Sequence, residues 1–314
     1  MTIYRLTDGI SPCERLPDDS VMALGNFDGV HLGHRRLLDE TASRAKAAGI
    51  ASAVWTFEQN SHTPCFLTDR AERLRLFRDA GIEYAVLEDF TAVRDYTPER
   101  FVMEILRPLG CRETVCGFNF RFGAGASGDT QTLCRLMDGH CFVCEPVMYA
   151  NEPISSTRVR EALEHAEIAD VTAMLGRPYA FELPVVHGRM VGRRLQIPTV
   201  NQSFPAGMVV PAHGVYATRC ILPDEANAEA AHGVNPEARF FRAVTNIGIR
   251  PTFPDTRELT CESHLLDYAG DSLYGRTVRL ELVAYLRPER KFDTPITLKA
   301  QIKRDIERAL ELLS

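Results

Sequence analysis

The stretch Val21-Met-Ala-Leu-Gly-Asn-Phe-Asp-Gly-Val-His-Leu-Gly-His34 decides the fold of the first half of this 314-residue chain. Four apolar residues end at a glycine, and a helical pattern then covers residues 34–48, with Gly49 as its stop. A strand, a glycine-bearing turn and a helix are the first step of a parallel α/β sheet. Ligands bind to such sheets beyond the carboxyl ends of the strands, which is where this turn falls.

The alternation of strand and helix continues through the first half. Further apolar strands are predicted at residues 51–57, 84–87, 114–117 and 142–147. Helices are predicted after Thr97-Pro98, at residues 156–165 and at residues 168–175. An α/β domain with a doubly wound parallel sheet is therefore expected over residues 1–178, where Gly176-Arg-Pro178 breaks the pattern.

The composition changes after this break. Strand-like runs separated by glycine and proline turns occupy residues 184–187, 214–221, 242–246 and 278–285. This spacing predicts a small antiparallel β-barrel within residues 179–314. Residues 224–238 lack regularly spaced apolar positions and are interpreted as an exposed hairpin loop. An amphipathic helix is predicted at residues 295–313.

The overall composition is that of a globular protein, with 45% hydrophobic and 25% charged residues. No apolar run approaches the roughly 20 residues that cross a bilayer. Residues 1–15 carry charges and a proline where a secretory peptide needs an apolar core, so we expect a cytoplasmic protein. The net charge of −6 does not favour nucleic-acid binding.

The nine cysteines are scattered singly, and their odd number indicates reduced thiols and not a disulfide framework. Cys141 and Cys144 form one Cys-x-x-Cys motif, with no second pair to complete a zinc site. Because their segment reads as a strand, we expect the two thiols to point to opposite faces. A shared metal or redox role for this pair is therefore disfavoured.

His31 and His34 lie three residues apart around the predicted helix start, so both imidazoles can face one phosphate. The neighbouring glycines allow backbone N–H groups to approach an anion, and the helix N-terminus adds partial positive charge. Histidine can donate a hydrogen bond to charge that develops on a phosphoryl oxygen. Capping or surface histidines, or half of a metal site, are the alternatives.

A second anion-binding element is predicted at Ile154-Ser-Ser-Thr-Arg-Val-Arg160, which opens a helix. Helix capping alone would explain Ser155 and Ser156. Arg158 and Arg160 in the first turn oppose the helix dipole, whereas an anionic ligand would explain them.

Gly123-Ala-Gly-Ala-Ser-Gly128 matches the dinucleotide pattern G-x-G-x-x-G, and Glu145 follows 17 residues later. In that fingerprint the glycines come immediately after a strand. Here Asn119-Phe-Arg-Phe122 separates them from the predicted strand, so an NAD site is disfavoured.

Thr199 and Asn201 are two residues apart, so in an extended segment their oxygens face the same way. Hydroxyl and amide oxygens suit Mg²⁺ that bridges ATP phosphates. Without its neighbours, Pro198-Thr-Val-Asn201 would be interpreted as an ordinary turn.

The motifs of the first half share a family resemblance. His31-Leu-Gly-His34 is similar to the His-x-Gly-His signature of the nucleotidyltransferase superfamily. Val115-Cys-Gly-Phe-Asn-Phe-Arg-Phe-Gly123 and Ile154-Ser-Ser-Thr-Arg-Val-Arg160 resemble motifs of its FAD-synthesising branch. The resemblance implies a nucleotidyltransferase-type sheet, whose histidines stabilise the α-phosphate while pyrophosphate leaves.

The motifs of the second half resemble the riboflavin kinase module, which implies a riboflavin-kinase-type barrel with a terminal helix. They are His187-Gly188, Gly192-Arg193, Pro198-Thr-Val-Asn201, Asn246-Ile-Gly-Ile-Arg-Pro-Thr-Phe253 and Glu262-Ser-His-Leu-Leu-Asp267. In that module Pro-Thr-x-Asn binds magnesium and nucleotide, and the position of Glu262 is the catalytic base for a ribityl hydroxyl. Nearly the whole chain thus resembles the bacterial bifunctional riboflavin kinase/FAD synthetase family.

The resemblance implies a transferase that uses ATP to phosphorylate riboflavin to FMN and then to adenylylate FMN to FAD. The implied catalytic residues are His31, His34, Arg160 and Glu262. The implied ATP-binding residues of the adenylyltransferase half are Gly25, Asn26, Phe27, Asp28, Gly33, Asn119, Ser155, Ser156, Thr157 and Arg158. Those that bind ATP or flavin in the kinase half are His187, Gly188, Gly192, Arg193, Asn246 and Arg287, with Thr199 and Asn201 as Mg²⁺ ligands. Riboflavin, FMN and ATP are the expected partners, with no nucleic acid and no membrane, and assembly into a homo-oligomer is left open.

The segment after Phe57 departs from the family. The family reads Phe-x-Pro-His-Pro and a longer loop, whereas this chain has Glu58-Gln-Asn-Ser-His-Thr-Pro64, in which His62 is the one histidine. Two alternatives therefore stay open: a single-activity riboflavin kinase with a degenerate adenylyltransferase half, and a flavin-binding protein without turnover. An NAD-dependent oxidoreductase is the third hypothesis.

Overall fold

The computed structural model of the chain describes residues 1–5, 16–58, 65–187, 199–222, 240–253, 256–266, 268 and 272–313, with side chains outside 250–258. Backbone contacts divide the chain into two compact units, Met1–Ser156 and Thr157–Ser314. The domain boundary near residue 178 stays a prediction. In the parts that are described, every helix is too short or too polar to cross a membrane.

The first unit is built on a parallel sheet. Its strands are β1 (Thr2–Arg5), β2 (Ser20–Leu24), β3 (Ala51–Phe57), β4 (Tyr84–Glu88), β5 (Cys111–Gly117) and β6 (Cys141–Cys144). They lie in the order β1-β4-β3-β2-β5-β6, and every neighbouring pair is parallel. The predicted parallel sheet is confirmed. The edge strand β1 was not predicted, and the strand expected at 142–147 ends earlier, at Cys144.

Helices connect these strands. They are α1 (Leu32–Ala48), α2 (Arg70–Asp79), α3 (Phe90–Val93), α4 (Pro98–Phe101), which continues as a π-helical turn over Val102–Leu106, and α5 (Thr130–Leu136). The short strands β7 (Met148–Tyr149) and β8 (Glu152–Pro153) form a hairpin. The sequence did not predict α2, because arginines at four of its ten positions obscure the apolar stripe. Helix α1 starts two residues before the predicted position, because His31 caps it.

Both faces of the sheet are covered, as expected for a doubly wound fold. Alternate residues of β2 enter two different cores. Val21 packs on one face with Leu38 of α1 and Phe77 of α2. Met22 packs on the other face with Phe101, at the end of α4. A strand that is buried on both faces explains the uninterrupted apolar run in the sequence.

The strand order reverses direction between β2 and β5. From β2 the chain proceeds through β3 to β4 on one side, and then returns to place β5 and β6 on the other side. The carboxyl ends of two strands therefore separate at this point and leave a crevice, which is the usual ligand site of an open α/β sheet. The turn that starts at Gly25 follows β2, and Asn119 comes two residues after β5.

Arg73 of α2 ties the ends of two strands together. Its guanidinium donates to the carbonyl oxygens of Phe57 (2.7 Å) and Glu58 (2.9 Å) after β3, and to that of Asn26 (3.3 Å) after β2. The residue is only 3% exposed. Burial acts to lower the pKa of this guanidinium, and the nearby carboxylate of Asp28 acts to raise it. A buried cation thus holds together the edge of the sheet where ligands bind.

The second unit contains a closed antiparallel barrel, which confirms the predicted architecture. Its strands are β9 (Tyr179–Val186), β10 (Val200–Gln202), β11 (Gly214–Ile221), β12 (Phe240–Phe253), β13 (Thr256–Leu265) and β14 (Thr277–Arg287). The helices are α6 (Ser156–Glu164), which begins at the last residue of the first unit, α7 (Ile168–Leu175) and α8 (Pro295–Leu312). Strand β13 was not predicted, and the expected loop at residues 224–238 lies outside the described residues.

The two sides of the barrel wall have different surroundings. Inside, a chain of hydroxyl groups links Thr218, Thr245 and Ser263 at 2.7 and 2.8 Å. Outside, Val215 of β11 packs against Ala309 at the end of α8. Residues next to one another along a strand therefore face either the barrel interior or the terminal helix.

Removal of the Arg73 guanidinium tests whether it ties the strand ends together. Arg73→Met takes a donor from three buried carbonyl groups, so we expect the first unit to lose about 3 kcal/mol of unfolding free energy. The chain has one tryptophan, Trp55 in β3, so tryptophan fluorescence during urea unfolding reports this unit alone. The control Arg36→Met removes an exposed ion pair with Glu40 on α1 of the same unit and should cost under about 1 kcal/mol. Equal unfolding midpoints for the two variants would contradict the assignment.

Candidate active sites

The turn after β2 has a strained backbone. Phe27 has a φ of 54°, Val30 a φ of 39° and Gly29 a φ of 78°. A positive φ is uncommon outside glycine, and a β-branched residue rarely adopts it. Strain of this kind persists only where the surrounding structure holds it, and it clusters at functional sites.

Polar contacts from distant segments hold this turn. The carboxylate of Asp28 accepts hydrogen bonds from the N–H groups of Leu67 (2.9 Å) and Thr68 (3.3 Å). The hydroxyl of Ser156 donates to the carbonyl oxygen of Asp28 at 2.8 Å. Asp28 is buried, so its carboxylate shapes the turn, and its ATP-binding role stays a prediction.

His31 and His34 stand together at the N-terminus of α1. Their rings stack with centroids 3.7 Å apart and planes 16° apart. His31 is the N-cap, and its Nδ1 accepts from the N–H of His34 at 3.3 Å. Because Nδ1 accepts, the proton of neutral His31 is on Nε2, which is therefore a donor. The structure thus brings the two predicted histidines into one site.

Gly33 is explained by its contact with His31. A Cβ atom at Gly33 would lie 3.0 Å from Cε1 and 3.1 Å from Nδ1 of the His31 ring. The ring could not keep its capping position over the first turn of α1 without a shift. On the other side, the buried ring of Phe27 lies 5.2 Å from that of His34. The spacing of His-x-Gly-His therefore has a packing cause.

The remaining predicted residues of the first site lie on two other elements. Asn119 is exposed beyond the end of β5. Ser155 precedes α6, and Ser156 begins it. Thr157, Arg158 and Arg160 occupy the first turns of that helix, as the sequence predicted. Their phosphate-binding roles stay predictions.

Glu88 at the end of β4 was not predicted from the sequence. It is buried and pairs in register with Phe57, at the same edge of the sheet as the strained turn. Burial raises the pKa of its carboxyl to about 7, although the N–H of Asp89 donates to Oε1 at 3.0 Å. This carboxyl can therefore gain or lose a proton near neutral pH. Glu88 was not predicted because a carboxylate at the end of a buried strand has no periodic pattern in the sequence.

The glycine-rich run has a structural explanation. Phe122 and Gly128 pair across a loop, where a Cβ at Gly128 would lie 2.6 Å from the Phe122 ring. Gly123 has a φ of 76°. Strand β5 ends at Gly117, so the run does not follow a strand directly, as predicted from the sequence.

Cys141 and Cys144 point to opposite faces of β6, as predicted. Cys144 belongs to the core that contains α1, and Cys141 packs against the other core. Among the described residues, no group of three or more histidine, cysteine or acidic side chains is arranged to hold a metal ion.

In the barrel, strand register assembles the second site. Glu262 of β13 is paired with Asn201 of β10 on one side and with Asn246 of β12 on the other. The row continues from Asn246 to Val215 of β11, and from Val215 to Arg287 of β14. Residues paired in this way lie on the same face of a sheet. Four predicted kinase residues therefore share the outer face of the barrel.

A cavity of about 390 Å³ lies along this row, between the barrel wall and α8. Thr199, Asn246, Glu262 and Arg287 line its polar side. Phe292 and Ile302 are among the residues of its apolar side. Such a mixture suits a ligand with an aromatic body and a polar tail.

Asn201 has an unusual environment beside this cavity. It is 8% exposed, and its Nδ2 donates to the carbonyl oxygen of Thr199 at 3.4 Å. Its Oδ1 is buried and has no hydrogen-bond partner among the described residues. A buried acceptor of this kind is costly unless a ligand satisfies it. The oxygen therefore fits a hard cation such as Mg²⁺.

Two residues of the cavity wall were not predicted from the sequence. Asp305 of α8 is 5% exposed and accepts three contacts from Arg287, at 3.0, 3.0 and 2.7 Å. Glu289 accepts from Nδ2 of Asn246 at 2.9 Å. The sequence did contain a signal for Asp305, because a carboxylate there lies on the apolar stripe of an amphipathic helix, beside Ile302. Arg287 thus lies at the predicted site, and an acid on the terminal helix holds its guanidinium.

Other predicted positions lie at the edge of the described chain. His187 follows β9, and its ring stacks on that of Tyr274 at 4.0 Å. Gly188, Gly192 and Arg193 lie outside the described residues, as does His62 in the first unit.

Both halves of the chain match known families. The family model described as FAD synthetase matches residues 13–158. The one described as riboflavin kinase matches residues 175–313. The two matches correspond to the unit with the parallel sheet and to the part that contains the barrel.

Relatives with both activities match nearly the full length. A bifunctional riboflavin kinase/FMN adenylyltransferase of Bacillus subtilis (strain 168) is 30% identical over 308 residues, which is 94% of this chain and 93% of the relative. That of Escherichia coli (strain K12) is 33% identical over 314 residues, or 96% and 95%. A crystal structure from Streptococcus pneumoniae, named a macrolide-efflux protein, has a TM-score of 0.84, 27% identity and 98% coverage of both chains. The chain therefore belongs to the family of bifunctional riboflavin kinase/FMN adenylyltransferases.

Proposed function

We propose that this chain carries out both reactions of its family at two separate sites. The barrel phosphorylates riboflavin to FMN, and the parallel-sheet unit adenylylates FMN to FAD and releases pyrophosphate; ATP is the donor in each. The observation that carries the proposal is the register that pairs Glu262 with Asn201 and Asn246, beside a cavity that Glu262, Asn246 and Thr199 line, since a base and oxygen ligands are then close together.

In the adenylyltransferase unit, a phosphate oxygen of FMN attacks the α-phosphorus of ATP, and the bond to the β-phosphate breaks. Negative charge then rises on the α-phosphate oxygens. Nε2–H of His31 and the ring of His34 stand at the N-terminus of α1, where a helix favours an anion. Arg158 and Arg160 are assigned to phosphate oxygens, with which guanidinium groups pair well.

In the kinase unit, the terminal ribityl hydroxyl of riboflavin attacks the γ-phosphorus of ATP, and ADP leaves. Glu262 accepts the hydroxyl proton as the new bond forms. The apolar wall at Phe292 and Ile302 is suited to the flavin ring, and the polar row is suited to the ribityl chain and the phosphates. Arg287 is oriented toward this cavity by its contacts with Asp305.

Thr199 and Asn201 are the residues that would hold Mg²⁺. The buried Oδ1 of Asn201 and the hydroxyl of Thr199 are oxygen ligands of the kind that Mg²⁺ takes. When bound, Mg²⁺ neutralises charge on the ATP phosphates. The register that pairs Asn201 with Glu262 supports this assignment, because the proposed ligand then lies next to the proposed base.

The cellular setting belongs to the same proposal. The eight cysteines within the described residues are free thiols, which suits the reducing conditions of the cytoplasm. The net charge of −6 suits small anionic substrates held by local groups more than it suits a nucleic acid. Assembly into a homo-oligomer is compatible with these features.

A kinase with an inactive adenylyltransferase half is the second candidate. It is favoured by the altered segment after Phe57, which follows the strand end that Arg73 holds. A flavin-binding protein without turnover is the third, and it has no use for a base at Glu262.

Loss of both histidines tests the first site. In the double variant His31→Asn/His34→Ala, asparagine keeps a cap for α1, so the unit should fold while it loses the phosphate-facing rings. We expect FAD formation from FMN to fall by about 10²-fold or more, while FMN formation from riboflavin is retained. The measurement is chromatographic separation of the flavins, with the exposed His140→Ala as control. Undiminished FAD synthesis would remove the histidines from the mechanism.

Glu262→Gln tests the second site. The amide keeps the size of the side chain but cannot take a proton, so riboflavin binding should persist while FMN production falls by about 10²–10⁴-fold. Binding is measured by quenching of riboflavin fluorescence, and the rate by phosphorylation of riboflavin. Glu182→Gln, on the exposed side of β9, is the control and should match the unmodified protein. An unchanged rate in Glu262→Gln would show that another group is the base.

A further inference from the structure

Three thiols lie together on one face of the parallel sheet of the first unit. Cys116 is in β5, Cys134 in α5 and Cys141 in β6, and all three are free. Cys116 is fully buried in the core on this face, whereas Cys134 and Cys141 are half-buried. None of them has a part in the two reactions.

Cys141 is the centre of this thiol cluster. The thiols of Cys116 and Cys134 are both close enough to its sulfur to act on its pKa. The sulfur of Cys134 also lies 3.7 Å from the carbonyl oxygen of Cys141. Thr114 of β5 is paired in register with Cys141 of β6. Cys116 follows Thr114 by two residues, so its side chain lies on the same face of the sheet as Cys141. Two thiols thus converge on a third.

The surroundings favour a thiolate at Cys141. Donation from Cys116 acts first to lower its pKa to about 6, burial opposes this, and Cys134 and Thr114 add further donors. The charge of Glu113 acts to raise the pKa. Burial raises the pKa of Cys134 to about 12. The thiolate is the reactive form of cysteine, so the central sulfur is the nucleophile of the cluster.

The cysteines at the start of β5 and at the end of β6, Cys111 and Cys144, have other surroundings. Cys111 is buried, and its sulfur donates to the carbonyl oxygen of Glu113. Cys144 is buried in the core on the opposite face, where burial raises its pKa. These two are ordinary core thiols, which are inert when buried.

We propose that Cys141 is a hydroperoxide-reactive cysteine and that Cys134 converts its oxidised form to a disulfide. Cys134 is the resolving thiol because it is half-buried on a short helix beside Cys141. Cys116 lies inside a strand that is paired on both sides, to β2 and to β6, so its backbone has little freedom to move. A reactive thiolate next to a resolving thiol is the arrangement of redox-sensitive cysteines.

The reaction balances with a hydroperoxide as the oxidant. The Cys141 thiolate attacks one peroxide oxygen, the O–O bond breaks, and the leaving oxygen takes a proton to become an alcohol or water. The sulfur of Cys134 then attacks the sulfenic sulfur, the S–O bond breaks, and water leaves with the thiol proton. Two thiols lose two electrons, and the peroxide gains them.

The test uses the full-length protein and hydrogen peroxide. After brief treatment, free thiols are alkylated, and peptides are mapped by mass spectrometry without reduction. We expect a peptide pair joined through Cys134 and Cys141, which reduction separates. In Cys134→Ser the sulfenic acid should persist at Cys141 and be captured by dimedone. Cys144→Ser, on the opposite face of the same strand, should behave like the unmodified protein.

Several results of these experiments would contradict the proposal. A disulfide that joins Cys116 to Cys141 would overturn the assignment of Cys134. Equal dimedone labelling at Cys144 or Cys111, or none at Cys141, would overturn the reactivity of Cys141. Trp55 fluorescence verifies that Cys134→Ser and Cys141→Ser are folded. In a folded Cys141→Ser variant, consumption of peroxide should fall at least about tenfold, and an unchanged rate would reject the proposal.

Discussion

Strand register is the constraint on which both sites depend. In the barrel, the pairing of β13 with β10 and β12 places Glu262 beside Asn201 and Asn246. A slip of one residue would turn Glu262 toward the hydroxyl chain inside the barrel and remove it from the cavity. In the first unit, parallel pairing brings the ends of β2 and β5 to the point where the strand order reverses. Backbone hydrogen bonds thus decide which side chains can meet.

Polar contacts between residues far apart in the sequence then fix the conformation of the groups at each site. The strained turn after β2 is held by Asp28, by Arg73 and by the hydroxyl of Ser156. In the kinase half, Asp305 does the same for Arg287. Asp28, Arg73 and Asp305 are buried, and each makes two or more hydrogen bonds, which offsets the cost of removing it from water. They orient the groups to which ligand-binding roles are assigned, and they need not contact a ligand themselves.

The sequence predicted the parallel sheet, the barrel and the paired histidines, because each has a local pattern. An apolar run that ends at Gly25 marks β2, an apolar run shortly after Gly49 marks β3, and the spacing of His31 and His34 marks a helix start. Arg73 escaped prediction because its partner Asn26 is 47 residues away. The roles of Glu262 and the magnesium ligands came from family resemblance, since strand β13 had no distinct pattern. Register between strands that are far apart in the chain has no local signal.

The time course of flavin formation tests the central claim most directly, namely that one chain holds two working sites. Purified protein is incubated with riboflavin, ATP and Mg²⁺, and flavins are separated by chromatography at intervals. FMN should appear first and FAD later, as FMN is released by the barrel and used by the parallel-sheet unit. FMN without FAD would contradict the claim for the first unit, where the segment after Phe57 departs from the family. Absence of both products would contradict it altogether.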